Sequence, residues 1–290
     1  MTLARDRLGL LLGLAGVVIF GATLPMTRLA VADLSPWFVT FGRAALAGLV
    51  AAGVLLVLRR PLPSRPDLIR LGLAALLLVG GFPAFTAFAM QQVPAAHGGV
   101  VLGILPLATA AVGALLMRDR PPLLFWVSAV AGALLVVAFS LRDGGGRLEW
   151  GDALLAAAVV AAAVGYVVSA QLAARMPGWE VISWIVVVSL PVTVPLTLLS
   201  APADPAAIAG RSWLAFLYLG LMSQYLGFFF WNAGLALGGV ARVSQVQLLQ
   251  TFVTLGVAAL VNGERVDAVT LLAALAVVAV VALGRRSVRR

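Results

Sequence analysis

The sequence predicts an all-α integral membrane protein of ten transmembrane helices, arranged as two inverted five-helix repeats. Three observations support this fold class: the composition, the length of the apolar runs, and a match between the two halves. Of the 290 residues, 62% are hydrophobic and 11% are charged, and the mean hydropathy is +1.09. A soluble domain of this size cannot cover so much apolar surface with polar groups, so the surrounding solvent must be lipid.

The apolar runs are each long enough to cross about 30 Å of hydrocarbon as a helix. Their continuous Ala, Val and Leu content, as in residues 153–163, favours helices over the alternating strands of a barrel. The first run is too long for the core of a signal peptide, so we expect it to be retained. The predicted spans are residues 8–30, 36–58, 68–92, 95–117, 123–141, 151–174, 179–200, 212–236, 239–261 and 267–284. Nine spans remain an alternative, because residues 91–97 separate the third and fourth only weakly.

The composition also excludes several chemistries. There is no cysteine, all 20 basic residues are arginine, and there is one histidine. A Walker A site and a Schiff base both need lysine, and a thiolate metal site, a two-histidine zinc protease and a bis-histidine haem are excluded too. We therefore expect no enzymatic activity, no cofactor and no metal. The net charge of +9 resides in arginines between apolar runs, which indicates membrane orientation rather than nucleic-acid binding.

The arginines are distributed unevenly between the two sides of the predicted bundle. With the N-terminus in the cytoplasm, 14 of them lie on the cytoplasmic side and five on the outer side, while Arg43 lies inside a span. This bias predicts that both chain ends are cytoplasmic, and hence that the number of spans is even. We expect a multi-pass protein of a bacterial inner (plasma) membrane.

The two halves of the chain align with each other. A shift of 145 residues places residues 94–123 on 239–268 without a gap, so that the turn Asp119-Arg120 falls on Glu264-Arg265. The predicted division is a first repeat at residues 1–141, a linker at 142–150 and a second repeat at 151–290. Since each half has five spans, the second enters the membrane with reversed sense, which is the arrangement from which alternating access follows in transporters.

Several short segments carry a resemblance to a known family: residues 21–25, residues 40–47, residues 103–107 and the two acidic–basic turns. In the order and spacing of these segments over the whole chain, the sequence resembles an EamA-type member of the drug/metabolite transporter superfamily. It departs in having Asp119 where Glu is usual and Thr251 in place of a second helix-4 proline. The resemblance implies export of small neutral or zwitterionic metabolites, with amino acids, including aromatic ones, as the expected class.

The alternative within transport is a carrier or flippase of a nucleotide-sugar or lipid-linked metabolite. Such substrates carry phosphates and favour several arginines in the cavity, whereas Arg43 is the one arginine that lies well inside a predicted span rather than within a few residues of its end. The partners expected in either case are a small-molecule substrate and the lipid bilayer. The sequence leaves the oligomeric state open, and a monomer is compatible with it.

Polar side chains inside lipid are costly, so they are the candidate binding residues. The ninth span has one polar face, which could line a cavity or could hold helices together through hydrogen bonds. Amide and aromatic groups on other spans suit a neutral, partly apolar ligand. The candidate substrate-binding residues are Phe85, Tyr166, Ser169, Gln224, Trp231, Asn232, Ser244, Gln247, Gln250 and Thr251.

Arg43 and His97 are further candidates. Arg43 could attract an anionic group, or it could extend to the outer interface or bind carbonyl groups of a neighbouring helix. His97 could be a polar cap or a proton site. No Asp or Glu lies in the middle of a predicted span, which favours concentration-driven rather than proton-coupled transport. The predicted hinge and packing residues are Pro25, Gly99, Gly103 and Pro106.

Overall fold

The computed structural model describes residues 2–117 and 121–288, which form ten long helical segments and no strand. The first five are α1 (Thr2–Gly21 and Thr23–Ala30), α2 (Pro36–Val57), α3 (Arg65–Ala75, Leu76–Gly81 and Phe82–Ala89), α4 (Ala95–Leu102 and Leu105–Met117) and α5 (Leu123–Asp143). The second five are α6 (Trp150–Ala173), α7 (Gly178–Leu199), α8 (Gly210–Leu217, Tyr218–Leu226 and Gly227–Gly238), α9 (Val246–Leu249 and Gln250–Asn262) and α10 (Ala268–Val288). Short helices Pro205–Ala207 and Val240–Val243 precede α8 and α9.

Within these described ranges, nine of the ten segments are long and apolar enough to cross a membrane, and α9 is shorter. The ninth predicted span, residues 239–261, is therefore not one continuous helix. Gly239, with φ of 79°, ends α8, and a turn at Ser244 separates the short helix Val240–Val243 from α9. Arg285 of α10 donates a hydrogen bond to the Ser244 carbonyl at 3.1 Å. The first acidic–basic turn, with Arg118, Asp119 and Arg120, lies outside the described residues.

Local sequence explains where several helices begin. Ser35 and Ser64 each precede a helix that has proline in its first turn, and each side-chain oxygen accepts a hydrogen bond from the backbone three residues on. At α6, Glu149 and Asp152 form a reciprocal capping box. Such caps satisfy backbone N–H groups that have no partner within the helix.

Proline accounts for the breaks in α1 and α4. Because proline has no N–H, Pro25 leaves the Gly21 carbonyl without its usual helical donor, and the helix is interrupted at Ala22. Pro106 does the same to the carbonyl of Leu102, and α4 is interrupted at Gly103.

Two helices carry a π-helical segment near the middle: Leu76–Gly81 in α3 and Tyr218–Leu226 in α8. These segments correspond under the 145-residue shift. A π turn holds one more residue than an α turn, so it changes the face that each end of the helix presents.

The packing of the helices has a simple symmetry when each helix is exchanged with the one five places along. The pair α1–α8 corresponds to α3–α6, and α4–α6 corresponds to α1–α9, while α2–α7, α5–α10 and α4–α9 are each their own counterparts. All seven of these pairs pack against each other. The two halves of the chain therefore make equivalent contacts.

The described ion pairs lie at the two ends of the bundle. One end, here called the His97 end, holds the pairs Arg28–Glu264 and Arg142–Asp267. The opposite end, here called the Asp67 end, holds Arg175–Asp67, Arg60–Glu180 and Arg242–Asp6.

Candidate substrate site

Arg43 lies in the interior, on the part of α2 that packs against α8. Its side chain does not extend to an interface, since the residue is 3% exposed. Arg43 Nη2 donates to Ser223 Oγ in α8 at 2.9 Å, and Ser223 Oγ lies 2.8 Å from Thr23 Oγ1 in α1. The phenol groups of Tyr166 and Tyr218 are within electrostatic range of the guanidinium. The structure thus places a serine hydroxyl directly beside this cation, with two phenols within electrostatic range.

Two buried polar atoms of α2 have no hydrogen-bond partner among the described residues: Arg43 Nε and Thr40 Oγ1. Thr40 is fully buried and lies one helical turn before Arg43, on the same side of α2. Sequence reasoning did not single out Thr40, Ser223 or Thr23 as site residues. Small hydroxyl residues are common in membrane helices, so their position beside Arg43 becomes visible only in three dimensions.

Two threonines of α9 pack against neighbouring helices. Thr254 donates to the carbonyl of Gly21 at 2.8 Å, which is the carbonyl that Pro25 leaves without a helical donor. A Cβ on Gly99 would lie 2.7 Å from Thr254 Cγ2, and a Cβ on Gly103 would lie 3.0 Å from Thr251 Oγ1. The structure therefore brings Thr251 and Thr254 against the predicted packing glycines of α4.

The other candidates on α9 and α8 are spread along the bundle. Gln247 and Gln250 are half-buried, and Ser244 is buried beside α10. Gln224 is buried in the π segment of α8.

The remaining aromatic and amide candidates are half-buried, and the structure does not gather them all in one place. Trp231 packs on Gly16 of α1. Asn232 lies against Gly178 at the Asp67 end. Phe85 packs with one hydrophobic cluster and Tyr166 with another. Tyr166 is within electrostatic range of Arg43.

His97 is the centre of a separate polar cluster at the His97 end. It is 4% exposed, with Nδ1 2.9 Å from Asp143 Oδ2 and Nε2 2.7 Å from Asp152 Oδ1. A carboxylate accepts hydrogen bonds but does not donate them, so both contacts are satisfied together when both ring nitrogens carry protons. The cluster joins the start of α4 to the end of α5 and the start of α6.

A cavity of about 490 Å³ opens beside this cluster, and residues lining it include His97, Asp143, Glu264, Arg265, Asp267 and Thr270. Glu264 accepts hydrogen bonds from the backbone N–H groups of Ala95 and Ala96, each at 2.8 Å, and pairs with Arg28 at 3.1 Å. The carboxylate thereby caps the N-terminus of α4, where negative charge is favourable. None of the lining residues belongs to α1, α2 or α8, so this cavity is distinct from the surroundings of Arg43.

Asp267 is an exposed carboxylate in the connection before α10. Its pKa is held well below its usual range, chiefly by hydrogen bonds from the hydroxyl and backbone N–H of Thr270 and then by the Arg142 guanidinium. Arg142 Nη2 lies 2.7 Å from Asp267 Oδ2. The pair ties the end of α5 to the start of α10.

Comparison with known proteins decides the family. The model of the EamA-like transporter family matches residues 7–141 and again residues 149–284. The chain belongs to the EamA-like transporter family. The membership expected from the resemblance is confirmed, and this EamA-like transporter is a multi-pass membrane protein that acts on a small-molecule substrate.

This chain is also similar to two known proteins over nearly its whole length. A protein of Bacillus subtilis (strain 168), described as the uncharacterized transporter YdeK, is 44% identical over 274 residues, which are 94% of this chain and 96% of that protein. A crystal structure of a protein with 21% sequence identity matches with a TM-score of 0.63, covering 97% of this EamA-like transporter and 98% of that chain. The second comparison shows a shared fold.

Proposed function

We propose that this protein exports small neutral or zwitterionic metabolites, with amino acids as the substrate class, by alternating access around the region between α1, α2, α6 and α8. The observation that carries the proposal is the exchange symmetry of the helix contacts. Five helices in each half give the second half the reversed sense, and two equivalent units that face opposite ways can rock about a shared centre. The same arrangement keeps both chain ends on one face, which the arginine bias assigns to the cytoplasm of a bacterial cell.

The chemistry of the interior supports the substrate class. The polar groups around Arg43 are hydroxyls and phenols, and Gln224 adds a buried amide in the π segment of α8. The buried carboxylates of Asp67, Asp152 and Glu180 lie near helix ends rather than midway along them. Among the described residues, an interior with one buried arginine and several neutral polar groups suits a zwitterion or a neutral solute.

Counterflow in proteoliposomes tests the substrate class. Purified protein is reconstituted, loaded with each unlabelled amino acid, and assayed for uptake of the labelled one. Exchange of at least one neutral amino acid supports the proposal. Exchange restricted to nucleotide-sugars or lipid-linked sugars would replace it with the alternative carrier function.

A matched set of glutamine variants locates the binding region. Gln224→Ala and Gln247→Ala each remove an interior amide, and we expect at least one of them to change the selectivity among amino acids. Gln171→Ala removes an exposed amide near the end of α6 and is the control. An unchanged profile in both interior variants would remove α8 and α9 from the binding region.

Two further measurements test the mode of transport. Single cysteines can be introduced cleanly, because the chain has no native cysteine. Labelling at positions near both chain ends should occur from the cytoplasmic side, and labelling from opposite sides would contradict the reversed repeats. Proton flux at a fixed stoichiometry with the substrate would contradict concentration-driven transport.

A further inference from the structure

Arg43 is a buried cation with no anionic partner among the described residues. It is 3% exposed, and the hydrogen bond that the structure gives it goes to the uncharged hydroxyl of Ser223. The ion pairs of the described chain lie at the two ends of the bundle, and Arg43 belongs to none of them. A charge removed from water is normally paired, because its desolvation is costly. The position therefore lacks a counter-charge.

The hydrogen-bond donors at this position point to the chemistry of that counter-charge. Threonine hydroxyls in helices commonly bond the carbonyl four residues back, as Thr27 and Thr254 do in this protein. Thr40 makes no such bond, and its buried hydroxyl stands one turn from the unpartnered Nε of Arg43. Buried donors without acceptors are rare and costly. Two such donors on one side of α2, one of them cationic, match the two oxygens of a carboxylate.

We propose that Arg43 and Thr40 bind the carboxylate of the transported solute. This inference rests on the proposed function and adds its recognition chemistry: Arg43 Nε and the Thr40 hydroxyl donate to the carboxylate. Ser223, itself held by Thr23, fixes the other branch of the guanidinium through Nη2. The arrangement is a charge-assisted donor pair of the kind that gives carboxylates strong and directional binding.

The same arrangement selects one carboxylate over a phosphate group. One guanidinium supplies one positive charge, and the neighbouring Tyr166 and Tyr218 supply uncharged phenols. A phosphate dianion would keep excess negative charge in a buried site. The substrate class is therefore a solute with a single carboxylate, in which the amine and side chain meet neutral groups.

Paired competitors test this assignment in the counterflow assay. The amino acid with the fastest exchange is challenged with its carboxamide, which keeps the shape and loses the negative charge. We expect the carboxamide to compete at least tenfold more weakly in the wild type. In Arg43→Gln, the amino acid and its carboxamide should compete equally. Equal competition in the wild type, or full discrimination in Arg43→Gln, would overturn the assignment.

Thr40→Val keeps the test decisive if Arg43→Gln does not fold, because valine has nearly the shape of threonine. We expect it to weaken competition by the amino acid several-fold and to leave the carboxamide unchanged. Thr193→Val is the matched control, since the buried Thr193 hydroxyl already bonds the Ser189 carbonyl. Discrimination lost equally in both variants, or kept intact in Thr40→Val, would contradict a direct role for Thr40.

A substrate-independent measurement separates failure of this site from failure of the proposed function. If no amino acid exchanges, the proposed function fails, and the melting temperature is then measured with benzoate, benzamide and inorganic phosphate. A rise with benzoate alone that is absent in Arg43→Gln supports the carboxylate site. A rise with phosphate alone, or no rise with any of the three, overturns it.

Discussion

Gly234 of α8 offers a sharp test of how closely two helices approach. A Cβ added at this position would lie 2.6 Å from the backbone nitrogen of Gly13 and 2.9 Å from the carbonyl oxygen of Gly9, both in α1. Comfortable contacts between heavy atoms begin at about 3.5 Å, so Gly234→Ala requires α1 and α8 to separate by up to ~1 Å. No flexible side chain is available to yield, because the contacting atoms are backbone.

The expected magnitude follows from two opposing terms. Overpacking costs about 1–3 kcal/mol, and the better helix propensity of alanine returns up to ~1 kcal/mol. We therefore expect Gly234→Ala to lower the free energy of unfolding by about 1–2 kcal/mol. Gly53→Ala is the matched control, because a Cβ there meets no atom within 4 Å, and it should be neutral or raise stability by up to ~1 kcal/mol.

Both variants can be measured by titrating purified protein in mixed micelles with a denaturing detergent and monitoring helicity. Stability equal to or above the wild type in Gly234→Ala would refute the close backbone contact between α1 and α8. An equal loss in Gly53→Ala would refute the assignment of the effect to helix separation.

Three further predictions concern the contacts around the prolines and the helix ends. Thr254→Val should lower the free energy of unfolding by about 1–3 kcal/mol, since it leaves the Gly21 carbonyl without a donor. This loss should be smaller in a Pro25→Ala background, where residue 25 regains its N–H. Equal losses in both backgrounds in a double-mutant cycle would contradict this. Asp152→Asn and His97→Gln should each destabilise by about 1–3 kcal/mol and combine to less than their sum, because each removes the same buried hydrogen bond. Additive unfolding free energies would argue against that pairing. The pKa of Asp267 is lowered in the folded state, so the carboxylate stabilises the protein fully above its ordinary pKa of 3.8, and this stabilisation shrinks as the pH falls from there toward the lowered pKa. The difference in melting temperature between wild type and Asp267→Asn should therefore be present at pH 7 and decrease progressively below about pH 4. A difference independent of pH would exclude the ionic origin.

The helices were predictable from sequence because lipid imposes strict requirements on length and hydrophobicity. The predicted starts at residues 36, 95 and 123 coincide with α2, α4 and α5, where serine or proline marks the first turn. The ninth span was predicted as one helix, and the structure interrupts it at Ser244. Hydropathy does not register such a turn, because valine and leucine continue on both sides of it among the polar residues.

The surroundings of the candidate site were less predictable. The sequence identified Arg43 as exceptional, but its hydrogen-bond partner Ser223 lies 180 residues further along the chain, and Thr23, which contacts Ser223, lies on a third helix. The polar face of α9 illustrates the same limit. Periodicity places Thr251 and Thr254 on one side of the helix, but cannot tell whether that side meets a ligand or the glycines of α4 and α1.

His97 was recognised as either a cap or a proton site, and its two carboxylate contacts come from residues 46 and 55 positions away. Asp143 and Asp152 lie at helix ends in the sequence, where acidic residues attract little notice. Folding brings both of them to a single imidazole.

The π-helical turns near the middle of α3 and α8 allow residues of each helix to rotate locally about the helix axis. A π turn contains one residue more than an α turn. If the π turn shifts along the helix by one position, the residue that it passes rotates by about 100° around the helix axis, while the two ends of the helix stay in place. Only a few backbone hydrogen bonds change partners in such a shift, whereas tilting the whole helix would alter the packing of every side chain along it. Because the segments occupy matching places in both halves, the two halves share the same local means of changing which side chains a helix presents.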